Sequence, residues 1–254
     1  MTGWGRPEFT ASAGTRVHAA VLGPADAPDL VCVHGWGCSH RYFGPLARRL
    51  SGRFRVVAVD LPGFGSTLGP AEPLDVRGLS TALGDWMRAT GRGGAALVGN
   101  SAGCQVIADL AVHSPELLGP VVLSGPSVDR RARSYPRQFG RILVDMRWER
   151  VGLTRLLVRD YLRCGPRRLR ATARFLLADP VERKLGHIRT PAVVVRGSRD
   201  TIVPRAWTRE CTALLPQGYS AEIPGAGHIL NYSAPAELAR ITCSLLDRTG
   251  SEDR

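Results

Sequence analysis

The apolar run Ala95-Ala96-Leu97-Val98 leads into Gly99-Asn100-Ser101-Ala102-Gly103, and a helical pattern to His113 follows directly. A buried strand that turns into a helix through a serine flanked by glycines admits few folds. Bulky neighbours would clash in so sharp a turn. Strand and helix must then pack side by side, as in a βαβ unit. Gly-x-Ser-x-Gly in this setting reads as a nucleophile elbow, which holds a serine hydroxyl at the top of a sheet. The plainer alternative is a glycine-rich connection with an incidental serine. What decides between them is whether the chain also supplies a base, an acid and an oxyanion hole.

The surrounding pattern supports a parallel α/β architecture. Short β-branched runs at Arg16–Leu22, Leu30–Val33, Arg55–Val59, Ala95–Val98 and Val121–Leu123 alternate with helical patterns at Arg41–Leu50, Leu74–Ala89 and Ala102–His113. Gly, Asp and Pro bound the apolar runs, as they do in buried strands. From Pro126 to Arg189 the strand signal stops. Phe139, Ile142, Leu143 and Met146, then Leu153, Leu156, Leu157 and Tyr161, recur at helical spacing with arginines between them. Strands return at Ala192–Val195 and Ser220–Ile223, and a helix from Pro235 to Leu246 closes the pattern. The expected organisation is a core of residues 1–125 and 190–254, with residues 126–189 as a helical cap.

A serine hydroxyl needs a base. Of the six histidines, His228 in Gly-Ala-Gly-His-Ile-Leu lies between the last strand and the last helix, where loops converge at strand ends. His113 ends the helix after the elbow and faces away. His18 lies in an early strand, and His187 precedes a strand at its wrong end. His40 is the weaker competitor. The orienting acid is Asp200 in Arg-Gly-Ser-Arg-Asp-Thr-Ile-Val-Pro, with Asp129 as the alternative. The chain order Ser101, Asp200, His228 fits the order of α/β-hydrolase triads. His34-Gly35-Trp36-Gly37 follows the strand Leu30–Val33. Its backbone can reach a reacting carbonyl, so the N–H groups of Trp36 and Ala102 are the expected oxyanion hole. His34 is expected to hold the loop. Gly35, Gly37, Asn100 and Ile229 are expected to line the substrate site.

The formal net charge is +12, and Lys184 is the single lysine of the chain. Residues 126–189 hold 16 arginines and that lysine against six acidic residues, a surplus of +11 that accounts for nearly all of it. No nucleic-acid motif accompanies these arginines. They are either a solvated face or a surface for an acidic partner, with the pairs Arg130/Arg131 and Arg167/Arg168 as the first candidates for contact. No metal-ligand spacing occurs, and Gly91-Arg92-Gly93-Gly94 precedes a strand where a dinucleotide fingerprint would follow one, so no cofactor is expected. The cysteines Cys32, Cys38, Cys104, Cys164, Cys211 and Cys243 form no Cys-x-x-Cys pair and read as reduced core residues. The start Met-Thr-Gly-Trp-Gly-Arg lacks a basic and then apolar leader, and no run approaches the roughly 18 apolar residues of a span. A cytoplasmic, membrane-free protein is expected.

From about Thr15 to Leu246 these motifs resemble the α/β-hydrolase superfamily. The loop Asp60-Leu-Pro-Gly-Phe-Gly-Ser-Thr67 looks like the family's loop after its fourth strand. Together with the His34, Asp200 and His228 motifs it is similar to pimeloyl-acyl-carrier-protein methyl ester esterases and related carboxylesterases. The resemblance implies an α/β-hydrolase fold: a mostly parallel sheet flanked by helices, with the cap inserted after the sixth strand. It implies a serine hydrolase that cleaves a small acyl substrate as an ester, through an acyl-enzyme. An acidic acyl-carrier protein or a coenzyme A thioester, both anionic, is the expected form in which the substrate is presented. Asn100 looks instead like the meta-cleavage C–C hydrolases, but Ile229 stands where they carry tryptophan. Cys104 replaces a second glycine common among relatives. A C–C hydrolase or an acyl-transfer or cyclisation enzyme using the same triad is the alternative, and a non-catalytic ligand binder is the third.

Overall fold

The computed structural model describes residues 3–252. Eight strands form one sheet: β1 (Glu8–Ser12), β2 (Thr15–Leu22), β3 (Asp29–Val33), β4 (Arg55–Val59), β5 (Ala96–Asn100), β6 (Val121–Ser124), β7 (Ala192–Gly197) and β8 (Gly218–Ile223). Their spatial order is β1-β2-β4-β3-β5-β6-β7-β8. From β4 to β8 every neighbouring pair is parallel, while β1 and β2 run antiparallel at one edge. This is an α/β-hydrolase fold.

Alternation along the strands divides the core in two. In β3, Val31 and Val33 face one layer while Leu30 and Cys32 face the other. The first layer is covered by α2 (Val76–Ala89), α3 (Ala102–His113) and α7 (Arg205–Ala213), which bring Leu83, Trp86, Ile107, Leu110 and Trp207. The second is covered by α1 (Gly44–Leu50) and α9 (Pro235–Glu252), through Leu46, Leu50, Leu238 and Leu245. A parallel sheet covered on both faces needs such continuous apolar runs. Helix α2 begins at Asp75, whose side chain accepts the Gly78 N–H at 2.8 Å.

β1 lies outside the strands that the sequence pattern marks. Its residues alternate between half-buried and exposed, and it has little apolar character to show. Pairing with β2 comes from the two-residue turn Ala13-Gly14, where φ is 51° and 70°.

Between β6 and β7 the chain is helical, with α4 (Tyr135–Asp145), α5 (Val151–Cys164) and α6 (Pro166–Ala178). Polar bonds tie these helices to the strand-end loops. Asp160 of α5 accepts from the Ser39 hydroxyl at 2.5 Å and from Arg41 at 3.2 Å. The Trp36 indole donates to Leu169 O (3.0 Å) and Thr172 Oγ1 (3.1 Å) of α6. Gln105 of α3 donates to Leu176 O and Asp179. Among the described residues no helix is long and apolar enough to cross a membrane. All six cysteines are free thiols.

Asp160 and Arg41 are both largely buried, so removing the carboxylate leaves a buried cation without its partner. Asp160→Ala is expected to lower unfolding free energy by about 3 kcal/mol in urea titration, and Asp160→Asn by less, because its amide still reaches Ser39.

Candidate functional site

β3 and β5 are neighbours in the sheet although β4 separates them in sequence. Strand order reverses here, and the loops that follow the two strands diverge around a crevice. The loop after β3 carries Gly35 and Trp36, and the turn after β5 carries Ser101. They come so close that a Cβ built on Gly35 would lie 3.2 Å from Ser101 Cβ.

Ser101 has φ 55° and ψ −118°, a region that non-glycine residues rarely occupy. Such a backbone costs on the order of 1–3 kcal/mol and persists only where the surroundings hold it. Its N–H donates to Ser124 O of β6 at 2.9 Å, and its carbonyl accepts from Cys104 N at 3.0 Å. The flanking glycines are required by contact. A Cβ on Gly103 would meet Val33 O at 2.2 Å, and one on Gly99 would meet Ile107 Cδ1 at 2.8 Å. Cys104 packs beneath the turn, and burial pushes its thiol well above the ordinary range.

His228 and Asp200 meet beside this turn. His228 Nδ1 lies 2.8 Å from Asp200 Oδ2. The other carboxylate oxygen accepts the N–H groups of Ile202 and Val203, both at 2.8 Å, which fixes the acid at the end of β7. With Nδ1–H donated to Asp200, the neutral form of His228 has Nε2 as its acceptor, buried and without a hydrogen-bond partner among the described residues. Gly125, at φ 60°, makes room: a Cβ there would sit 2.9 Å from the imidazole. Burial alone would lower the His228 pKa. The Asp200 charge and hydrogen bond, joined by Asp145 and Glu149, outweigh it and carry the pKa up to about 9.

Ser101 and His228 line one cavity of about 380 Å³, together with Gly35, Trp36, Asn100, Ala102 and Ile229. Gly37 is not among its lining residues. The space beside that glycine is filled by Tyr161 and Leu169 of the inserted helices. Asn100 lies on the cavity wall, yet its amide is used by the scaffold, accepting from Tyr42 Oη (3.1 Å) and donating to Ser124 O (3.1 Å). Tyr42 Oη in turn accepts the Gly35 N–H at 2.6 Å. The remaining lining is mostly apolar and comes from the inserted helices, including Ile142, Leu157, Val158 and Leu176.

The other histidines and the alternative acid lie elsewhere. His34 accepts the Leu61 N–H through Nε2 (3.2 Å) and contacts Gly35 O through Nδ1 (2.9 Å), bracing its loop. Asp129 binds the Arg131 N–H and Arg141. His18 and His40 both place Nδ1 on Asp60 Oδ2, at 2.9 and 2.8 Å. Among the described residues this buried trio is the group whose donor atoms converge as metal ligands would. Burial alone would raise the Asp60 pKa, but hydrogen bonds from both imidazoles hold its carboxyl well below the usual range. Its oxygens also accept the N–H groups of His40 and Ser66, so the trio reads as a brace for the loop after β4.

Sequence reasoning missed Asp145 and Glu149. Asp145 accepts the His228 N–H at 3.3 Å, and Glu149 accepts the Ile229 N–H at 2.8 Å. A signal existed for Asp145: Gln138, Ile142 and Asp145 recur at spacings of four and three along α4, which places the acid on its cavity-facing side, whereas Glu149 lies past that helix in extended backbone.

An alpha/beta hydrolase family model matches residues 30–241. The pimeloyl-[acyl-carrier protein] methyl ester esterase of Nitrosomonas europaea is 27% identical over 249 residues, covering 87% of this chain and 96% of that protein. The esterase of the same name from Xanthomonas oryzae pv. oryzae is 29% identical over 240 residues, covering 84% and 91%. Among solved structures, an esterase from Thermogutta terrifontis superposes with a TM-score of 0.79 at 19% identity, covering 96% of this chain and 99% of that one. A carboxylesterase from Bacillus subtilis superposes with a TM-score of 0.78 at 20% identity, covering 95% and 91%.

The His228–Asp200 contact gives a direct observable. A histidine whose folded pKa is about 9 adds stability that is fully present below about 6.5 and is lost as pH rises through about 9. NMR titration of His228 is expected to show a midpoint near 9. Asp200→Asn should lower that midpoint by about 1–3 units and flatten the loss of stability between pH 7 and 10.

Proposed function

The chain belongs to the alpha/beta hydrolase family, and from that premise we propose that it hydrolyses carboxylic esters through an acyl-enzyme on Ser101. The observation that carries this is an imidazole held by Asp200 at 2.8 Å, with Nε2 unpartnered in a cavity that Ser101 also lines. His228 takes the Ser101 proton as the hydroxyl attacks the ester carbonyl, and Asp200 stabilises the imidazolium that forms. The N–H groups of Trp36 and Ala102 receive the developing oxyanion. Ala102 stands at the N-terminus of α3, where the helix dipole favours negative charge. His228 then returns the proton to the departing alcohol, and water repeats the sequence to free the acid. The esterase names of the relatives support the same reaction class.

In this scheme α4, α5 and α6 form a cap over the site. Ile142, Leu157 and Leu176 give the acyl chain an apolar channel, and Tyr135, Phe139 and Val158 line its exposed rim. Asn100, with its amide engaged by Tyr42 and Ser124, lends no support to C–C cleavage.

The arginines of the cap fit an anionic carrier, in keeping with the acyl-carrier-protein substrate in the relatives' names. The pairs expected from sequence to make this contact, Arg130/Arg131 and Arg167/Arg168, are engaged by the chain itself. Arg130 and Arg131 bind Glu210, Arg167 binds Glu72, and Arg168 donates to Pro70 O. Arg159 and Arg163 of α5 are exposed and have no ion-pair partner among the described residues. We therefore assign the carrier contact to this face of α5.

Steady-state kinetics with p-nitrophenyl esters test the mechanism. Ser101→Ala should lower kcat by about 10⁴-fold or more. Asp200→Asn should cost about 10³–10⁴-fold, against less than about threefold for Asp129→Asn. For the wild type, kcat/KM should rise from pH 7 towards 9, because the base works only when neutral. Unchanged turnover in Ser101→Ala would rule the mechanism out.

Reversing charge at Arg159 and Arg163 should lower kcat/KM about tenfold for a carrier-linked ester at low salt and leave a small neutral ester unaffected. The loss should shrink as ionic strength rises. An equal effect on both substrates would assign the arginines to a solvated face.

A further inference from the structure

Three carboxylates hold the His228 segment, Asp200 at the imidazole and Asp145 and Glu149 at the backbone N–H groups of His228 and Ile229, and two of the three are fully occupied. Asp200 binds His228 and two backbone N–H groups. Glu149 accepts the Ile229 N–H and the Ser233 hydroxyl. Asp145 is different. It is 3% exposed and lines the cavity, and one oxygen takes the His228 N–H, but Oδ1 has no hydrogen-bond partner among the described residues. Gly227 lets both carboxylates approach the loop closely, since a Cβ there would come within 3.5 Å of Asp145 Oδ1 and 2.9 Å of Glu149 Oε1.

The charges do not balance. Among the described residues no arginine or lysine forms an ion pair with Asp145, Glu149 or Asp200. Three acidic side chains stand against one imidazole, and two of them, Asp145 and Asp200, are buried. Uncompensated buried charge is unfavourable, and either a proton or a cation relieves it. This acidic recess sits inside a chain of net charge +12, so the general field of the protein does not account for it.

We propose that Asp145 is a substrate-recognising carboxylate, and that the cavity takes esters bearing an alkylammonium or similar cationic hydrogen-bond donor, seated on Asp145 Oδ1. The proposal deepens the esterase reading and rests on it. In the empty cavity a proton takes the cation's place. Burial, then the neighbouring charges of Asp200 and Glu149, lift the Asp145 pKa to about 7 against the opposing pull of His228. A cationic ligand must therefore displace a proton from Asp145 below pH 7 and meets a free carboxylate above it. The groups that face Asp145 are Asp200, Glu149 and His228, and His228, raised to about 9, keeps its charge between pH 6 and 8 while Asp145 changes its own.

Isothermal titration of the wild-type protein with hexylammonium, and with the uncharged hexyl methyl ether, tests this without any ester bond. At pH 8 hexylammonium should bind at least about tenfold more tightly than the ether. Its affinity should fall about tenfold at pH 6 while that of the ether is unchanged, because an alkylamine with a pKa near 10.4 stays charged throughout. Asp145→Asn, which keeps the shape and can still accept from the His228 N–H, should bind both ligands alike at either pH. Equal binding of the two ligands by the wild type, or a preference that survives Asp145→Asn, would overturn the proposal and leave Asp145 as a carboxyl satisfied by buried water. Neither ligand is cleaved, so these outcomes do not depend on Ser101. Failure of the esterase reading would show separately, in the kinetics of Ser101→Ala.

Discussion

The first turn of α3 rests on the end of β3 with no room for a side chain between them: a Cβ at position 103 would fall 2.2 Å from Val33 O. That close approach sets the rest of the site. It draws the loop after β3 against the turn after β5 and holds Ser101 in its strained backbone with the hydroxyl on the cavity wall. The strain persists because a buried parallel sheet anchors both sides, with Ser101 N–H bound to β6 and Gly125 N–H bound to Val195 of β7. The same row of strand ends delivers Asp200 and His228. One packing constraint in the core thus positions groups that lie more than a hundred residues apart in sequence.

Charge makes the second level of organisation. The inserted helices supply the apolar lining, and through Asp145 and Glu149 they also grip the backbone of the His228 loop. The placement of those helices and the placement of the imidazole are therefore linked. Against the effect of burial, Asp200 and then the carboxylates that hold the loop raise the basicity of His228, which under the proposed mechanism would favour the imidazolium and push the working range towards alkaline pH.

Much of this was legible in the sequence, for reasons visible at particular residues. β3, β5 and β7 are buried on both faces, so their apolar runs stand out, and Gly99 and Gly103 mark the turn because contact forbids anything larger. Strand β1 was invisible because an edge strand half open to water needs no apolar pattern. Of the residues expected at the substrate site, Gly37 does not line the cavity and gives space to Tyr161 and Leu169, while Asn100 does line it, with its amide joining Tyr42 to Ser124. The arginine pairs chosen from sequence turned out to be partnered, since adjacency in the chain says nothing about Glu210 or Glu72 lying opposite. Asp145 was passed over because a charged residue among arginines reads as surface until the helix face it shares with Ile142 is traced inward.

The measurement that bears most directly on the account is intact-mass spectrometry of the protein after exposure to a fluorophosphonate probe, with peptide mapping of the adduct. A single adduct on Ser101, abolished by Ser101→Ala and formed faster as pH rises towards 9, is the predicted result. No adduct, or one on another residue such as Ser127, whose hydroxyl lies 3.3 Å from that of Ser101, would contradict it.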